Sequence, residues 1–294
     1  MSNLLEKKFP SHIRVPLKFS VPGNEGQKNV REMVKKSRIH TVCEESACPN
    51  LGHCWESGTA TFMIMGDTCT RRCTFCNIKT ARPLPLDKEE PERLGKIIRD
   101  MKLKQAVITS VDRDDLKDCG SEHFAKSILA IQKYSPSTLI EVLIPDFKGK
   151  VENLEHIWKA RPDIINHNVE TVPSLYKKIC PQSKYELSLK VLRLSKGKGF
   201  ITKSGIILGL GENLEEVKRV MKDLRNSGVN MLTVGQYLPP SAFHAPLISW
   251  IEPGIFEELK TFGYSLGFRH IESGSLVRSS YHAGDGIAKL LEQK

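Results

Sequence analysis

Six of the eight cysteines of this 294-residue chain fall within one short stretch and form two groups of three. The spacings are C-x4-C-x5-C in the first group and C-x3-C-x2-C in the second. The first group is Cys43, Cys48 and Cys54, and the second group is Cys69, Cys73 and Cys76. Because the chain is expected to be cytoplasmic, clustered cysteines indicate metal ligands or catalysts rather than disulfides.

The second group has one cysteine too few for a closed zinc site, which takes four ligands. A thioredoxin-like redox site would need a C-x-x-C pair followed by a helix. A [4Fe–4S] cube has four irons, so three cysteines hold it and leave one iron open to an outside ligand. Three cysteines in this spacing therefore indicate a reactive cluster rather than a structural metal.

The first group is spaced too widely for the C-x2-C knuckle of a zinc ribbon, and it also lacks a fourth ligand. Cys119 and Cys180 stand apart from both groups, and we expect them to be non-ligand cysteines, because free cysteine commonly behaves as a small apolar residue. The nine histidines show no H-x-x-x-H or H-E-x-x-H spacing, so none is assigned to a metal.

From residue 59 onward, apolar strand-like segments alternate with amphipathic helical ones. Strands are predicted at 59–66, 105–111, 138–144, 163–169, 201–209 and 230–238. Helices are predicted at 88–102, 121–134, 153–160, 185–197, 213–228 and 253–267, with Asp87 as the N-cap of the first helix and Gly228 as a C-cap. Six strand–helix alternations predict a parallel sheet, as an open doubly wound sheet or an incomplete barrel.

Polar residues follow each predicted strand at its C-terminal end, where folds of this class bind their ligands. Cysteines, carboxylates and amides gather there in the segments DTCTRRCTFC, SVDRDDL, PDF, NHNVET, GLGE and QYLPPS. The second cysteine group lies in the first of these segments. We therefore expect the active site at this end of the sheet.

The C-x3-C-x-aromatic-C motif directly after the first strand of an α/β barrel resembles the radical S-adenosylmethionine (SAM) superfamily. The resemblance implies that Cys69, Cys73 and Cys76 hold a [4Fe–4S] cluster whose open iron is chelated by SAM. An electron from the cluster then cleaves SAM to methionine and a 5′-deoxyadenosyl radical. The cofactor carries the difficult chemistry, and the protein positions it and excludes water.

The same resemblance implies the contacts to SAM. Phe75, just before the third cysteine, is expected to contact the adenine, and Asn168 and Glu170 in NHNVET are expected to bind the ribose. Lys203 and Gln236, which are predicted near the ends of the fifth and sixth strands, are expected to contact the methionine moiety.

The flanks of the first cysteine group are similar to the lipoyl synthase family. The similarity spans roughly residues 38 to 284, in HTVCEESACPNLGHCWE, TSVDRDDLKDCG, LIPDF, HNVETVPSLY, TKSGIILGLGE, QYLPPS and VRSSYHA. It implies that Cys43, Cys48 and Cys54 bind an auxiliary [4Fe–4S] cluster with Ser280 as the fourth ligand. Serine oxygen is harder than thiolate and matches iron less well, so such a cluster is more easily opened. The chain departs from the family at Cys119, where DCG replaces the usual DGG.

The family resemblance implies insertion of two sulfur atoms, at C6 and C8, into an octanoyl chain on a lysine of a lipoyl carrier domain. The auxiliary cluster would donate the sulfur and be consumed. The implied partners are octanoylated carriers such as the glycine cleavage H protein and 2-oxoacid dehydrogenase E2, an electron donor such as ferredoxin or flavodoxin, and an iron–sulfur carrier for cluster repair.

The expected fold is an incomplete (β/α)6 TIM-like barrel of the radical SAM type over residues 59–268. An N-terminal arm with the auxiliary-cluster loop precedes it over 1–58. A C-terminal segment over 269–294 carries the serine motif and is expected to cover the barrel mouth.

Composition and charge limit the classes of partner and the location that we expect for the chain. With 39% apolar residues and a mean hydropathy of -0.30, the chain has no apolar run near the roughly 20 residues of a membrane span, and no membrane is predicted. Its first residues show no apolar signal region, which predicts a cytoplasmic protein. The net charge of +10 comes without a nucleic-acid motif, so we predict no nucleic acid and instead electrostatic docking of an acidic carrier.

Other radical SAM enzymes with an auxiliary cluster are the alternative within the same class. Biotin synthase lacks an N-terminal cysteine triad, and methylthiotransferases carry added domains whose signatures are absent from this sequence. An iron–sulfur or zinc protein that binds nucleic acid is the alternative from another class. It predicts an affinity for polynucleotide that collapses with salt.

Overall fold

The computed structural model describes residue 32 and residues 37–42, 54–55 and 58–280. The strands are β1 (His40–Thr41), β2 (Thr59–Ile64), β3 (Thr68–Cys69), β4 (Lys79–Thr80), β5 (Gln105–Ser110), β6 (Leu139–Leu143), β7 (Ile164–Asn166), β8 (Ile201–Leu208), β9 (Met231–Gln236) and β10 (His270–Gly274). The helices are α1 (Glu90–Asp100), α2 (Ser121–Tyr134), α3 (Val151–Ala160), α4 (Tyr176–Ile179), α5 (Tyr185–Gly197), α6 (Leu214–Asn226) and α7 (Pro253–Ser265). Of the described helices, none is long and apolar enough to cross a membrane.

Eight strands form one sheet in the order β1-β2-β5-β6-β7-β8-β9-β10. Only β1 runs antiparallel to its neighbour, and every other pair in this sheet is parallel. Within the described residues the sheet ends at β1 and β10 and does not close on itself. The predicted incomplete barrel of alternating strands and helices is therefore confirmed.

The buried strands have the composition that a covered parallel sheet requires. All six residues of β2, TATFMI, are buried, and so are all six of β9. A strand covered on both faces has a nearly continuous run of apolar residues instead of an alternating pattern. This run is what allowed six of the parallel strands to be predicted from the sequence.

One parallel strand was not predicted. β10 pairs with β9 in the register His270↔Met231 to Gly274↔Gly235. Its sequence, HIESG, contains a single large apolar residue, because as the last strand of the sheet it is only partly covered. The sheet thus continues into the segment 269–294, and the residues after β10 turn back over the end of β9.

The start of α1 differs from the prediction. Asp87 is not its N-cap: the helix begins at Glu90, and Glu89 occupies the cap position without a side-chain hydrogen bond. Pro91 in the first turn favours a helix start at this point, because it has no N–H to donate and its φ is already helical. The Asp87 carboxylate instead accepts the backbone N–H of Glu89 at 2.9 Å, in the turn that precedes the helix.

The predicted end of α6 is confirmed, with Gly228 at φ 85° just after it.

The acidic first turn of α1 links helices and sheet. Glu90 is buried, and its carboxylate accepts the backbone N–H of Met65 at 2.8 Å and lies 2.6 Å from Nε2 of His123. One carboxylate therefore ties α1 to the end of β2 and to α2.

A buried ion pair lies inside the barrel wall. The ammonium of Lys203 on β8 donates to both carboxylate oxygens of Glu141 on β6, at 2.9 and 3.1 Å. Asn166 and Gln105 donate to the same carboxylate from β7 and β5, at 2.9 and 3.3 Å. Glu141 is 0% and Lys203 2% exposed, so neither charge has water as an alternative partner.

Replacing Lys203 with Met should therefore leave Glu141 buried and uncompensated, at a cost of about 3–5 kcal/mol in the free energy of unfolding. A double variant, Glu141→Gln with Lys203→Met, should recover much of this loss, because no charge stays buried and the glutamine oxygen can still accept from Asn166. The matched control is Lys159→Met, which breaks the exposed Lys159–Glu155 pair and should cost less than about 1 kcal/mol. Urea unfolding measures all three, and equal costs for the two single variants would contradict the expectation.

Candidate active site

A cavity of about 610 Å³ lies at the C-terminal ends of the parallel strands. Its wall includes the ends of β5 and β6, the residues after β7, and the ends of β8 and β9. All three cysteines of the second group line it, together with Phe75, Asn168, Glu170, Gln236 and Ser280. The structure thus brings most of the predicted site residues to the edge of the sheet where the sequence placed them.

The loop that carries the second cysteine group is held from two sides by main-chain hydrogen bonds. The backbone N–H of Thr74 donates to the carbonyl of Ile179 at 2.9 Å, and the carbonyl of Thr74 accepts the N–H of Ala245 at 2.8 Å. A backbone fixed in this way restricts the positions of the Cys73 and Cys76 thiols, on either side of Thr74, before any ligand binds.

Burial and backbone hydrogen bonding act in opposite directions on the thiol of Cys69. It accepts backbone N–H groups from Arg71 and Asp112, each at 3.3 Å. Burial, and then the charge of Asp112, raises the pKa of the Cys69 thiol to about 11, and burial raises the pKa of Cys76 to about 12. Both thiols therefore keep their protons at neutral pH unless a cation replaces them. Three sulfurs on one wall, one of them with two N–H donors, fit an iron–sulfur cluster.

Arg71 anchors the same loop to the sheet. Its guanidinium is 6% exposed and donates to Asp114 at 2.8 and 3.0 Å and to Asp146 at 2.8 and 2.7 Å. Burial opposes the charge, but the bonds to Asp146 and Asp114 raise the pKa of Arg71 overall. Burial also acts to raise the pKa of Asp146, and the bonds from Arg71 outweigh it and lower that pKa. The prediction assigned Arg71 no role, although the aspartates of SVDRDDL and PDF were available as partners.

Asn168 and Glu170 form a polar corner of the cavity. The side-chain amide of Asn168 lies near the Glu170 carboxylate and acts to lower its pKa, while Asn168 Oδ1 is buried and has no hydrogen-bond partner among the described residues. Burial raises the pKa of Glu170 to about 7. A Cβ on Gly205 would lie only 2.7 Å from Asn168 Oδ1, so the glycine makes room for this amide. The corner offers one free acceptor and one carboxylate to a ligand.

Lys203 and Gln236 are placed differently from the prediction. Lys203 is the third residue of β8 and not near its end; its ammonium is bound to Glu141, and it does not line the cavity. Gln236 lines the cavity, but its amide nitrogen bonds the carbonyls of Leu208, Tyr237 and Ser249, and its Oε1 accepts the N–H of Ile251 at 2.9 Å. Its polar atoms hold the chain after β9 in place.

Of the first cysteine group, Cys43 and Cys48 lie outside the described residues, and Cys54 is partly buried. Val42, which immediately precedes Cys43 in the sequence, lines the same cavity as Ser280. The C-terminal residues reach the cavity across β9, where a Cβ on Gly235 would lie 2.3 Å from the carbonyl oxygen of Val277.

Of the two cysteines predicted to be non-ligands, Cys119 is buried in the core at φ 53°. Cys180 is also buried, but it lines the cavity beside the second cysteine group. No spacing rule links it to that group, because more than 100 residues of chain separate it from Cys73.

Comparison with protein families shows that the radical SAM superfamily model matches residues 63–224. A protein named lipoyl synthase from Leptospira interrogans serogroup Icterohaemorrhagiae serovar Lai is 48% identical over 288 residues, covering 98% of this chain and 95% of its own. A mitochondrial lipoyl synthase from Nematostella vectensis is 49% identical over 286 residues, covering 96% and 98%.

Solved structures share the fold at low sequence identity. Methylornithine synthase (PylB) superposes with a TM-score of 0.55 at 12% identity, covering 95% of this chain and 91% of its own. HydG, a maturase of the [FeFe]-hydrogenase, superposes with a TM-score of 0.56 at 16% identity, covering 91% and 65%.

Glu170 should make the stability of the cluster-free protein depend on pH. Its pKa is about 7 in the folded state against an ordinary 4.5, so the folded state keeps a proton that the unfolded state loses. The free energy of unfolding should therefore fall as the pH rises from 4.5 to about 7. Glu170→Gln should flatten this slope, and Glu186→Gln, exposed on α5, should not. Urea unfolding across this pH window measures the effect, and an unchanged slope in Glu170→Gln would refute it.

Proposed function

We propose a role for each site residue of this chain, which belongs to the lipoyl synthase family within the radical SAM superfamily. The protein inserts two sulfur atoms, at C6 and C8, into an octanoyl chain attached to a lysine of a lipoyl carrier domain. The observation that carries the proposal is that three cysteines, a polar corner and the serine of the C-terminal motif line one cavity.

The proposal assigns Cys69, Cys73 and Cys76 to a [4Fe–4S] cluster that binds SAM. When bound, this pair supplies the radical chemistry that activates the C–H bonds of the octanoyl chain. The two N–H groups on the Cys69 sulfur would stabilise the thiolate. The Arg71 pairs with Asp114 and Asp146 would hold the loop in one position, since paired N–H bonds to carboxylates restrict orientation as well as distance.

The polar corner is proposed to bind the ribose of SAM. Asn168 Oδ1 is a buried acceptor without a partner in the described structure, and a ribose hydroxyl would satisfy it. Glu170 would accept a second hydroxyl, as carboxylates commonly do with ribose. Phe75 lines the same cavity and offers an aromatic face to the adenine. Gln236 would act indirectly, by holding the residues after β9 in place.

The proposal assigns Cys43, Cys48, Cys54 and Ser280 to an auxiliary [4Fe–4S] cluster, the donor of sulfur. Two observations support it: Ser280 lines the cavity, and so does Val42, the residue before Cys43 in the sequence. The hydroxyl of Ser280 is the weaker ligand of the four, because oxygen matches cluster iron less well than sulfur.

Basic residues around the cysteine loop favour an acidic partner. Exposed side chains of this kind are Arg72, Lys79, Arg82, Lys177 and Lys178. We propose that an acidic lipoyl carrier domain docks here, by electrostatic complementarity. The reaction in the cytoplasm would also need an electron donor such as ferredoxin or flavodoxin, and an iron–sulfur carrier to restore the spent cluster.

Anaerobic reconstitution tests the assignment. The protein should take up the iron and sulfide of two [4Fe–4S] clusters, and alanine at Cys43, Cys48 and Cys54 should remove half of each. With dithionite, SAM and an octanoyl-lysyl peptide, it should form 5′-deoxyadenosine and a product that carries two added sulfurs. Binding of zinc, or of a single cluster by the unmodified protein, would overturn the proposal.

Replacing Ser280 with Cys should separate cluster binding from sulfur insertion. The thiolate holds iron more firmly, so the iron content should be unchanged, while formation of the sulfur-bearing product falls at least tenfold, or about 1.4 kcal/mol in the barrier. The matched control is Ser279→Cys, which places the thiol one residue away and should keep normal product formation. Full activity in Ser280→Cys, or an equal loss in both variants, would remove Ser280 from the ligand set.

A further inference from the structure

Cys180 is a thiol that the proposed function does not use. It is the residue after α4, is 2% exposed, and lines the cavity that holds the second cysteine group. Its backbone N–H donates to Tyr176 and its carbonyl accepts from Ser183, so the surrounding main chain is fixed.

The segments on either side of Cys180 are bonded to those on either side of Cys73. The N–H of Thr74 donates to Ile179 at 2.9 Å, and the N–H of Arg72 donates to the side chain of Gln182 at 2.6 Å. These two bonds bracket both cysteines and hold the two segments that carry them side by side. The proximity of Cys73, and then burial, raises the pKa of Cys180.

We propose that Cys73 and Cys180 form a disulfide when the cluster-free enzyme meets a low-molecular-weight disulfide, and that the oxidised pair blocks cluster loading until it is reduced. The modification would remove one of the three thiols assigned to the cluster. In the enzyme that carries the cluster, the Cys73 sulfur would be bound to iron and unable to react. The disulfide would therefore form only in cluster-free protein.

The reaction balances as two thiol–disulfide exchanges. The Cys73 thiolate, the more exposed of the two, attacks the small disulfide, forms a mixed disulfide and releases one small thiol. Cys180 then attacks the Cys73 sulfur and displaces the second small thiol. Two protein thiols are oxidised, one small disulfide is reduced to two thiols, and the proton of Cys180 leaves with the second thiol.

Peptide mapping of full-length, cluster-free protein treated with oxidised glutathione tests the pairing. Trypsin releases Cys73 in the peptide 73–79 and Cys180 in the peptide 179–184. We expect a joined species lighter by two hydrogens than the two peptides, and a loss of two free thiols per chain. The species should persist in Cys76→Ser and vanish in Cys73→Ser, since Cys76 shares the first peptide. A joined species that depends on Cys76, or Cys180 alkylated as fully as in untreated protein, would overturn the proposal.

Iron uptake tests the consequence. After the glutathione treatment, unmodified protein should lose most of its iron uptake at the site of the second cysteine group, and dithiothreitol should restore it. Cys180→Ser and Cys180→Ala should instead keep one glutathione joined to the peptide 73–79, because no thiol displaces it, while the control Cys119→Ser, altered at the other buried cysteine outside the groups, should form the joined species and lose uptake as the unmodified protein does. Treated unmodified protein that keeps its iron uptake, or Cys180 variants whose peptide 73–79 carries no glutathione, would contradict the proposed block.

The uptake measurement rests on the proposed function, whereas the peptide mapping does not. Untreated protein that binds no iron would defeat the proposed function and leave the disulfide to be decided by the peptides alone.

Discussion

The buried charge of Arg71 joins the cysteine loop to the barrel. The loop leaves the sheet after β2 and could pack in many ways, but its arginine forms paired bonds with Asp114 and Asp146, beyond the ends of β5 and β6. Removing either carboxylate would leave a guanidinium that is 6% exposed without full compensation. This cost restricts the loop to one arrangement, and the positions of the three thiols follow from it.

The cavity behind this anchor disfavours negative charge wherever a cation is missing. Burial raises the pKa of Cys69, Cys76 and Glu170, and it raises the pKa of Asp112 to about 6 even with Arg71 nearby. Such a wall favours ligands that bring positive charge, because the acidic groups can then lose their protons. An iron–sulfur cluster and the sulfonium of SAM both meet this condition, which agrees with the family to which the chain belongs.

Periodicity and motif spacing predicted six of the parallel strands, the end of the sheet that carries the site, and the cysteine groups. They failed where a residue's neighbours lie far away in the sequence. β10 was not predicted, because the last strand of a sheet needs few apolar residues. Arg71 was assigned no role, because its partners follow the ends of two other strands. Lys203 was misplaced because no sequence pattern reveals that Glu141 on a neighbouring part of the sheet neutralises it. Cys180 is expected to be a non-ligand cysteine, and the sequence gives no sign that folding places it on the cavity that Cys73 also lines.

Buried polar residues in this barrel fall into two kinds, and their hydrogen bonds separate them. Lys203 and Gln236 were expected to contact the cofactor. The ammonium of Lys203 is instead bound to Glu141, and both polar atoms of the Gln236 amide are bound to backbone groups. Asn168 differs, because its Oδ1 is buried on the cavity wall without a partner in the described part of the chain. A buried acceptor left in this state destabilises the empty protein by about 1–3 kcal/mol, a loss that a bound hydroxyl would reverse. Of these three side chains, Asn168 is therefore the one whose hydrogen bonding a ligand could still complete.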